Sequence, residues 1–281
     1  MSVSVFKQKF WSNKIQSVLD TLTGLRTHSD YEFEGEIKGG DRIDITGTVR
    51  PTIGTYVPGV DIDIENLDGT SQTLVIDQFK YFAVYFDNVD RAQSLPGVWR
   101  ATSEQCAKEL HEVGDKYVAS ILKTAIEAAS SEIKQSTAFV PTKANVVEKI
   151  EAGLAELYGA NVPATTEFYG EFSPKMYSFL RQSLTELSTN NPELLKKGAV
   201  GRYNNVLVSI ENLLPVNGTT RYNIIRTGKA VAFAGQIDKI QAIEKEKGFG
   251  DILKGLYVFG AKIVRPEQIY ALLETDSTLS N

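Results

Sequence analysis

Histidine and cysteine, the side chains that most often serve as bases, nucleophiles or zinc ligands, are scarce in this chain. His28 and His111 are the two histidines, and Cys106 is the single cysteine. They show no His-x-x-x-His or Cys/His spacing, so the sequence predicts no zinc site. Neither histidine is paired with a nucleophile motif, and we interpret His111 as a solvated or interface residue rather than a base. One cysteine excludes an intramolecular disulfide and favours a reducing compartment.

A short acidic run offers the best alternative chemistry. Asp61, Asp63 and Glu65 alternate with isoleucines and would share one face of a strand. Carboxylate oxygens are the ligands that calcium prefers, so a calcium site is one interpretation. No EF-hand spacing surrounds the run, and a solvated strand face is therefore the favoured interpretation. We predict no catalytic, cofactor-binding or metal-binding residue and no cofactor.

Two further patterns resemble binding motifs but fail in detail. Gly228 and Lys229 look like the end of a phosphate loop, but Ala230 replaces the serine or threonine and Asn223 replaces the first glycine. A cluster of aromatic residues could stack on bases, at Phe79, Tyr81, Phe82, Tyr85 and Phe86. Its neighbours are acidic, whereas stacking platforms lie in positively charged grooves, so a core or interface strand is predicted.

The composition is that of a soluble globular chain of 281 residues, with 42% hydrophobic and 23% charged residues. Residues 1–30 carry a net charge of +2 and residues 31–92 carry −7, within a total of −5. This distribution does not fit a basic nucleic-acid reader, and it suits complementary contacts between copies. No apolar run approaches the roughly 18 residues of a membrane span, and no signal peptide is predicted.

The periodicity divides the chain into an arm, an extended region and a helical spine. Residues 1–30 predict an arm with a short amphipathic helix, with apolar residues Phe10, Trp11, Ile15, Val18, Leu19 and Leu22. Such a short helix must dock on something. Residues 31–92 predict a two-stranded β excursion with strands at 41–46 and 73–86, which needs a partner surface. Residues 102–135 predict one long helix, opened by a capping box of Thr102 and Gln105.

The remainder predicts a compact α/β region over residues 141–255. Helices are expected at 143–158 and at 174–187, the second capped by Ser173 with Pro174 at its first position. Strands are expected at 206–210, 222–225 and 230–234, with a turn at Asn217 and Gly218. A last strand over 256–264 precedes a short helix over 266–273.

This order of elements, together with several local segments, resembles the major capsid proteins of tailed double-stranded DNA bacteriophages, which have the Hong Kong 97-type fold. The segments are residues 10–12, 31–38, 40–43, 71–82, 87–93 and 254–266, and the stretches 71–93 and 254–266 are the most specific. The resemblance covers nearly the whole chain. It implies an α+β Hong Kong 97-type capsid fold in a structural protein that is not an enzyme.

The resemblance also implies a domain plan. Residues 1–30 would be the N-terminal arm, and 46–76 the extended loop. Residues 31–45, 77–140 and 256–281 would form the peripheral domain with its spine helix at about 102–135. Residues 141–255 would form the axial domain.

The partners implied by the resemblance are mainly further copies of the chain. The protein would assemble as hexamers and pentamers into an icosahedral shell around double-stranded DNA, which it would contact without sequence specificity. A separate scaffolding protein, a portal and a possible decoration protein are further expected partners, and no membrane is. The location would be the virion, after assembly in the host bacterial cytoplasm. Because no lysine lies between Lys38 and Lys80, a covalent crosslink from the extended loop is not expected.

Two alternatives remain open from the sequence. An encapsulin compartment has the same fold, and copurifying cargo rather than packaged DNA would identify it. A metal-dependent hydrolase using the acidic region 61–68 is more remote, since histidine ligands and a base–nucleophile pair are missing.

Overall fold

In a computed structural model of the chain, the structure describes residues 24–32, 42–47, 53, 55, 70–87, 98–186, 201–244 and 250–275. The fold is α+β, as predicted. The helices are α1 (Val98–Glu127), α2 (Val146–Gly159) and α3 (Pro174–Glu186). The strands are β1 (Arg42–Gly47), β2 (Thr70–Val75), β3 (Gln78–Asp87), β4 (Lys134–Gln135), β5 (Phe168–Phe172), β6 (Arg202–Tyr203), β7 (Val206–Ile210), β8 (Val216–Asn217), β9 (Thr220–Thr227), β10 (Val231–Glu244), β11 (Gly250–Ile263) and β12 (Ile269–Thr275).

A seven-stranded mixed sheet forms the larger half of the described structure, in the order β4-β12-β9-β5-β7-β6 with β8 beside β9. Because side chains alternate along each strand, the sheet presents two apolar faces. Helices α2 and α3 cover one face, where Ile150, Leu154 and Met176 pack on Phe168 and Leu272. Helix α1 belongs to the core on the other face.

A three-stranded antiparallel sheet, in the order β10-β11-β3, forms the smaller half. Strands β10 and β11 make a long hairpin with one register shift between Ile237 and Lys239. Helix α1 packs against β11, and its deeply buried Val118 and Leu122 share a core with Phe233. At 30 residues the helix is about 45 Å long, which matches the predicted spine.

The ribbon of β1 and β2 lies on the three-stranded sheet. Ile43, Ile45 and Leu74 are buried against side chains of β10 and β11, so the alternating pattern predicted the inward-facing residues of β1. The approach is closest at Gly260, where an added Cβ would lie 2.2 Å from the Val75 carbonyl oxygen. At its base, the ribbon therefore packs on β10 and β11 of its own chain, and these strands supply the partner surface that it requires. The tip of the predicted loop lies outside the described residues, apart from Ile53 and Thr55.

The bounds of the predicted long helix were wrong. Helix α1 begins at Val98, so Thr102 lies one turn inside it rather than at its start, while the Gln105 amide donates to Glu109 over 3.1 Å. The helix ends at Glu127 although no proline or glycine stops it. Beyond it, Ile133 is buried in the core and β4 joins the edge of the larger sheet beside β12, and this pairing overrides helix propensity.

Three smaller predictions also need correction. The helix predicted over 266–273 is a single 3-10 turn at Pro266–Gln268 followed by β12, because the buried run from Ile269 to Leu272 pairs along β9. The single strand predicted over 73–86 is two strands, which break at Ile76 and Asp77 where the chain passes from the ribbon to the smaller sheet. Helix α2 starts three residues later than predicted. Strand β7 and the start of α3 match their predictions.

Candidate functional site: a buried anchor and an exposed aromatic face

A fully buried ion pair lies at the centre of the larger sheet, on the face toward α1. Arg226 of β9 donates from Nη2 to Glu171 Oε1 of β5 over 2.7 Å, and from Nε to both carboxylate oxygens over 3.1 and 3.2 Å. Burial alone would raise the pKa of Glu171, but the charges of Arg226 and His28 outweigh it and hold that pKa below its usual value. Two buried charges of this kind persist only when each has several hydrogen-bond partners.

The remaining partners come from residues 24–32, which we call the anchor segment. Arg226 donates to the carbonyl oxygen of Leu25 and, over 3.3 Å, to the Ser29 hydroxyl. His28 Nδ1 lies 3.1 Å from Glu171 Oε1, and its ring stacks on Tyr169 with centroids 4.6 Å apart. The ion pair therefore fixes the place where the chain that precedes residue 24 joins the body.

A second buried carboxylate holds the first residue of the anchor segment. The backbone N–H of Gly24 donates to Glu211 Oε2 over 2.7 Å. Burial, and then the nearby negative charge of Glu171, raise the pKa of Glu211 to about 7, although the Gly24 bond and His28 act in the opposite direction. The Glu211 carboxyl, which holds Gly24, therefore changes its charge near neutral pH.

Arg26 attaches the anchor segment to α1 and the smaller sheet. The Arg26 backbone N–H donates to Asp115 Oδ1 over 2.7 Å, and its guanidinium donates to the Tyr257 hydroxyl over 2.9 Å. The guanidinium also lies over the Phe233 ring, 5.6 Å from its centroid. The Arg26 side chain passes α1 at Gly114, where an added Cβ would lie 3.2 Å from Arg26 Cδ. The anchor segment thus joins the two sheets through α1.

A third polar cluster lies on the opposite face of the larger sheet. The Ser173 hydroxyl donates to Glu274 Oε2 over 2.6 Å, and the Asn223 amide donates to the same oxygen over 2.8 Å. The Ser173 oxygen also accepts the Met176 N–H over 3.0 Å, which is the predicted N-cap of α3. All of these groups are buried, so we interpret the cluster as structural.

Those residues first considered for chemistry that the structure describes lie in separate places. His28 belongs to the anchor, whereas His111 lies on α1 with its ring edge against Tyr257. Burial, aided by Arg26, lowers the pKa of His111, and Asp115 opposes this shift. Gly228 and Lys229 form a 3-10 turn between β9 and β10 rather than a phosphate loop. Asp61, Asp63 and Glu65 lie outside the described residues.

Within the part of the chain that the structure describes, no group of three or more acidic, histidine or cysteine residues could hold a metal ion. In that same part, no helix is long and apolar enough to cross a membrane.

The smaller sheet exposes an aromatic strip, formed by Phe79, Tyr81 and Tyr85 of β3. These side chains are 63%, 78% and 41% exposed. They alternate with Phe82, which faces the core beside α1, so the strip lies on the sheet face away from the helix. Covering a phenylalanine or tyrosine completely contributes about 1.5–3 kcal/mol, and a strip of three is therefore a favourable contact surface. The sequence predicted a core or interface strand here.

An apolar groove follows the other side of β3, and we call it the α1–β3 groove. Its volume is about 620 Å³. Phe82 of β3 and Cys106, Leu110 and Val113 of α1 provide its apolar lining, while Phe79 and Tyr81 contribute to its rim. Burial, with the charge of Glu109, raises the pKa of Cys106, so its thiol is not an activated nucleophile.

The comparisons with known proteins identify the fold. No protein-family model and no curated protein matches the chain. Among solved structures, one from Mycobacterium phage Che8 is 24% identical, covers 96% of this chain and 98% of its own, and has a TM-score of 0.80. The capsid structure of cyanophage P-SCSP1u is 16% identical, with coverages of 99% and 95% and a TM-score of 0.75.

The mature capsid of bacteriophage PhiM1 is 16% identical, with coverages of 98% and 93% and a TM-score of 0.71. The chain has the Hong Kong 97-type capsid fold. This fold extends over nearly the whole length of each chain compared, so the predicted fold class is confirmed.

Proposed function

We propose that this protein is the major capsid protein of a tailed double-stranded DNA bacteriophage, a structural subunit rather than an enzyme. The observation that carries the proposal is the match to phage capsid structures over almost the full length of both chains. The buried polar clusters agree with this, since their function is to hold chain segments together.

The proposed domain plan follows the resemblance. Residues 1–30 would be the N-terminal arm, 46–76 the extended loop and 141–255 the axial domain, with the rest forming the peripheral domain. Strand β11 continues unbroken through positions 255 and 256, so the division at this point would pass within a strand. The larger sheet with α2 and α3 supports the axial assignment, and α1 with the smaller sheet supports the peripheral one.

Shell contacts would form where the smaller sheet is incompletely covered. In the described structure β3 is hydrogen-bonded on one side, to β11, and its aromatic strip faces outward. Exposed apolar side chains on an edge strand are a surface that a partner must cover to prevent uncontrolled association. A neighbouring copy in a closed, symmetric shell is the partner that this proposal requires.

The wider set of partners belongs to the same proposal. The subunits would form hexamers and pentamers in the virion, around DNA contacted without sequence specificity, after assembly in the host cytoplasm. A scaffolding protein, a portal and possibly a decoration protein would take part. Denaturing electrophoresis of mature particles would show monomers, since residues 39–79 contain no lysine for a crosslink from the loop. A ladder of covalent oligomers would contradict this.

Electron microscopy of the purified protein tests the proposal, with and without coexpressed candidate scaffolding proteins. We expect closed shells, tubes, or rings of five and six subunits. Deleting residues 48–70 should leave a folded subunit that assembles poorly, because the base of the β1–β2 ribbon is covered by its own chain. Persistent monomers under all conditions would contradict the proposal, and shells that enclose a copurifying enzyme instead of DNA would favour an encapsulin.

A further inference from the structure

We propose that Glu211 and His28 act as a proton-operated latch, which holds the anchor segment on the larger sheet while the two side chains share one proton and releases it when that proton leaves. The latch is a property of the single subunit, so the inference goes beyond shell assembly and does not depend on it. It rests on the geometry of the buried cluster, on its balance of charge and on the backbone hydrogen bonds of the anchor segment.

The lack of a side chain at Gly24 leaves room for the two members of the latch. An added Cβ at this position would lie 2.9 Å from Glu211 Oε1, and 3.4 and 3.7 Å from Cε1 and Nε2 of His28. One carboxylate oxygen and one ring nitrogen therefore border the same small space. The other oxygen of Glu211 accepts the Gly24 N–H over 2.7 Å. The carboxyl group thus holds the backbone of the anchor segment and lies beside its histidine.

The second ring nitrogen of His28 is committed to another carboxylate. Nδ1 lies 3.1 Å from Glu171 Oε1, and Glu171 is ionised and paired with Arg226. An ionised carboxylate only accepts hydrogen bonds, so Nδ1 must carry a hydrogen. Nε2, on the side of Glu211, is then the ring nitrogen that gains or loses a proton.

The charges of the cluster balance only when one proton lies between Glu211 and His28. Arg226 and Glu171 neutralise each other, and both side chains are fully buried. With the proton, Glu211 and His28 together are neutral, either as a carboxylic acid beside imidazole or as a carboxylate beside imidazolium. Without it, Glu211 is a buried negative charge, and the cluster holds two negative charges against one positive charge. Burying an unbalanced charge is unfavourable, so loss of the proton favours opening.

The surroundings of Glu211 place this exchange of a proton near neutral pH. The titratable and charged groups that face the pair come from β5, β9 and the anchor segment, and they are Glu171, Tyr169, Arg226 and His28. Burial, and then the charge of Glu171, raise the pKa of Glu211 to about 7, although two hydrogen bonds to the carboxylate and the charge of His28 lower it. The latch is therefore closed in acid and opens as the pH rises through about 7.

Opening of the latch would release several backbone hydrogen bonds together. The Arg26 N–H donates to Asp115 Oδ1 over 2.7 Å. The Asp30 N–H donates to the Val231 carbonyl oxygen over 2.8 Å. Once the anchor segment has moved away, water reaches Glu211 and its pKa returns to the ordinary value near 4.5. Because the pKa is higher in the closed state, the ratio of open to closed molecules should rise about tenfold between pH 6 and pH 8.

Hydrogen exchange of the full chain at pH 6 and pH 8, followed by mass spectrometry in dilute solution, tests the latch. After correction for the intrinsic effect of pH on exchange, we expect the protection of residues 24–32 to fall about tenfold. We also expect this protection to be lower than that of β5 at both pH values, because the segment opens while the sheet stays folded. Exchange of the segment only together with β5 would overturn the proposal.

Glu211→Gln removes the proton while it retains an oxygen that can accept the Gly24 N–H. In this variant the protection of residues 24–32 should be equal at pH 6 and pH 8. The matched control is Glu167→Gln, at an exposed carboxylate, which should keep the fall of about tenfold. Circular dichroism would confirm that both variants are folded. A fall that persists in Glu211→Gln would refute the latch.

His28→Gln tests whether the histidine shares the proton. The glutamine amide can donate to Glu171 in place of the Nδ1 hydrogen, but it takes up no proton itself. We expect the fall in protection to remain and its midpoint to move to higher pH, because the positive charge of His28 no longer favours the Glu211 carboxylate. A midpoint identical to that of the native chain would contradict the role of His28.

Discussion

The two sheets of this protein differ in how completely each is covered by its own chain. The larger sheet has packed side chains on both faces, and the buried ion pair of Arg226 and Glu171 lies within it. The smaller sheet packs on α1 with one face. On its other face the ribbon packs on β10 and on β11 around Gly260, and the aromatic strip of β3 is exposed. The larger sheet is therefore covered by its own chain on both faces, whereas the smaller sheet presents an exposed apolar surface to a partner.

The largest expected effect comes from removing the charge at the centre of the larger sheet. Arg226→Met would leave Glu171 buried without its counter-charge, and we expect a loss of about 3–5 kcal/mol in the free energy of unfolding. Urea denaturation of the monomer measures this. The matched control is Arg202→Met, whose ion pair with Glu167 lies at the surface and should contribute no more than about 1 kcal/mol. Equal losses would show that the larger sheet does not depend on the buried pair.

The next effect is a pH dependence caused by Glu211. Its pKa is raised to about 7, so the folded state retains a proton that the unfolded chain releases near pH 4.5. This group's contribution to stability is therefore complete below about pH 4.5 and is lost as the pH rises through 7, by about 3 kcal/mol. Glu211→Gln should remove that slope in urea titrations at several pH values, whereas the exposed control Glu167→Gln should retain it. Glu171, with its lowered pKa, acts only at more acidic pH.

A smaller loss is expected where the ribbon meets the smaller sheet. Gly260→Ala would place a methyl group against the backbone of Val75, and displacing the ribbon should cost about 1–3 kcal/mol. Gly159→Ala is the control, because nothing lies within 4 Å of its added Cβ. Thermal unfolding compares the two variants. An unchanged midpoint for Gly260→Ala would mean that the ribbon moves freely on the sheet.

The smallest effect on stability is expected on the aromatic strip. Tyr81→Ser should change the free energy of unfolding by less than about 0.5 kcal/mol, since the side chain is mostly exposed. The same change should reduce assembly, measured by light scattering or electron microscopy. Val140→Ser, at an exposed apolar position away from the strip, should assemble normally. Normal assembly of both variants would remove the strip from the contact surface.

Local patterns predicted much of the fold. The alternation in residues 42–46 indicated the buried face of β1, and Ser173 with Pro174 placed the start of α3 correctly. The run from Ile269 to Leu273 was assigned to a helix because a short, continuous apolar stretch has no period that separates helix from strand. Its position beside β9, far away in the sequence, decided the outcome.

The contacts of the anchor segment could not be predicted from the sequence, because they also join residues that are far apart in the chain. His28 attracted attention as a possible base, but its partner Glu171 is 143 residues away, and Glu211 is 187 residues from Gly24. Nothing local to any of these residues marks the contact. The one available signal was Arg226 itself, a charge directly after the apolar pair Ile224 and Ile225, which must find a partner when the strand is buried.

The base of the β1–β2 ribbon has a mechanical consequence. Gly260 permits backbone contact with β2, Lys262 Nζ donates to the Thr73 carbonyl oxygen over 2.9 Å, and Gln72 donates to the Val264 carbonyl oxygen over 3.2 Å. With the base attached at three positions, a force that pulls on strands β1 and β2 would be transmitted to β11, the central strand of the smaller sheet, and from there to α1, which packs against it.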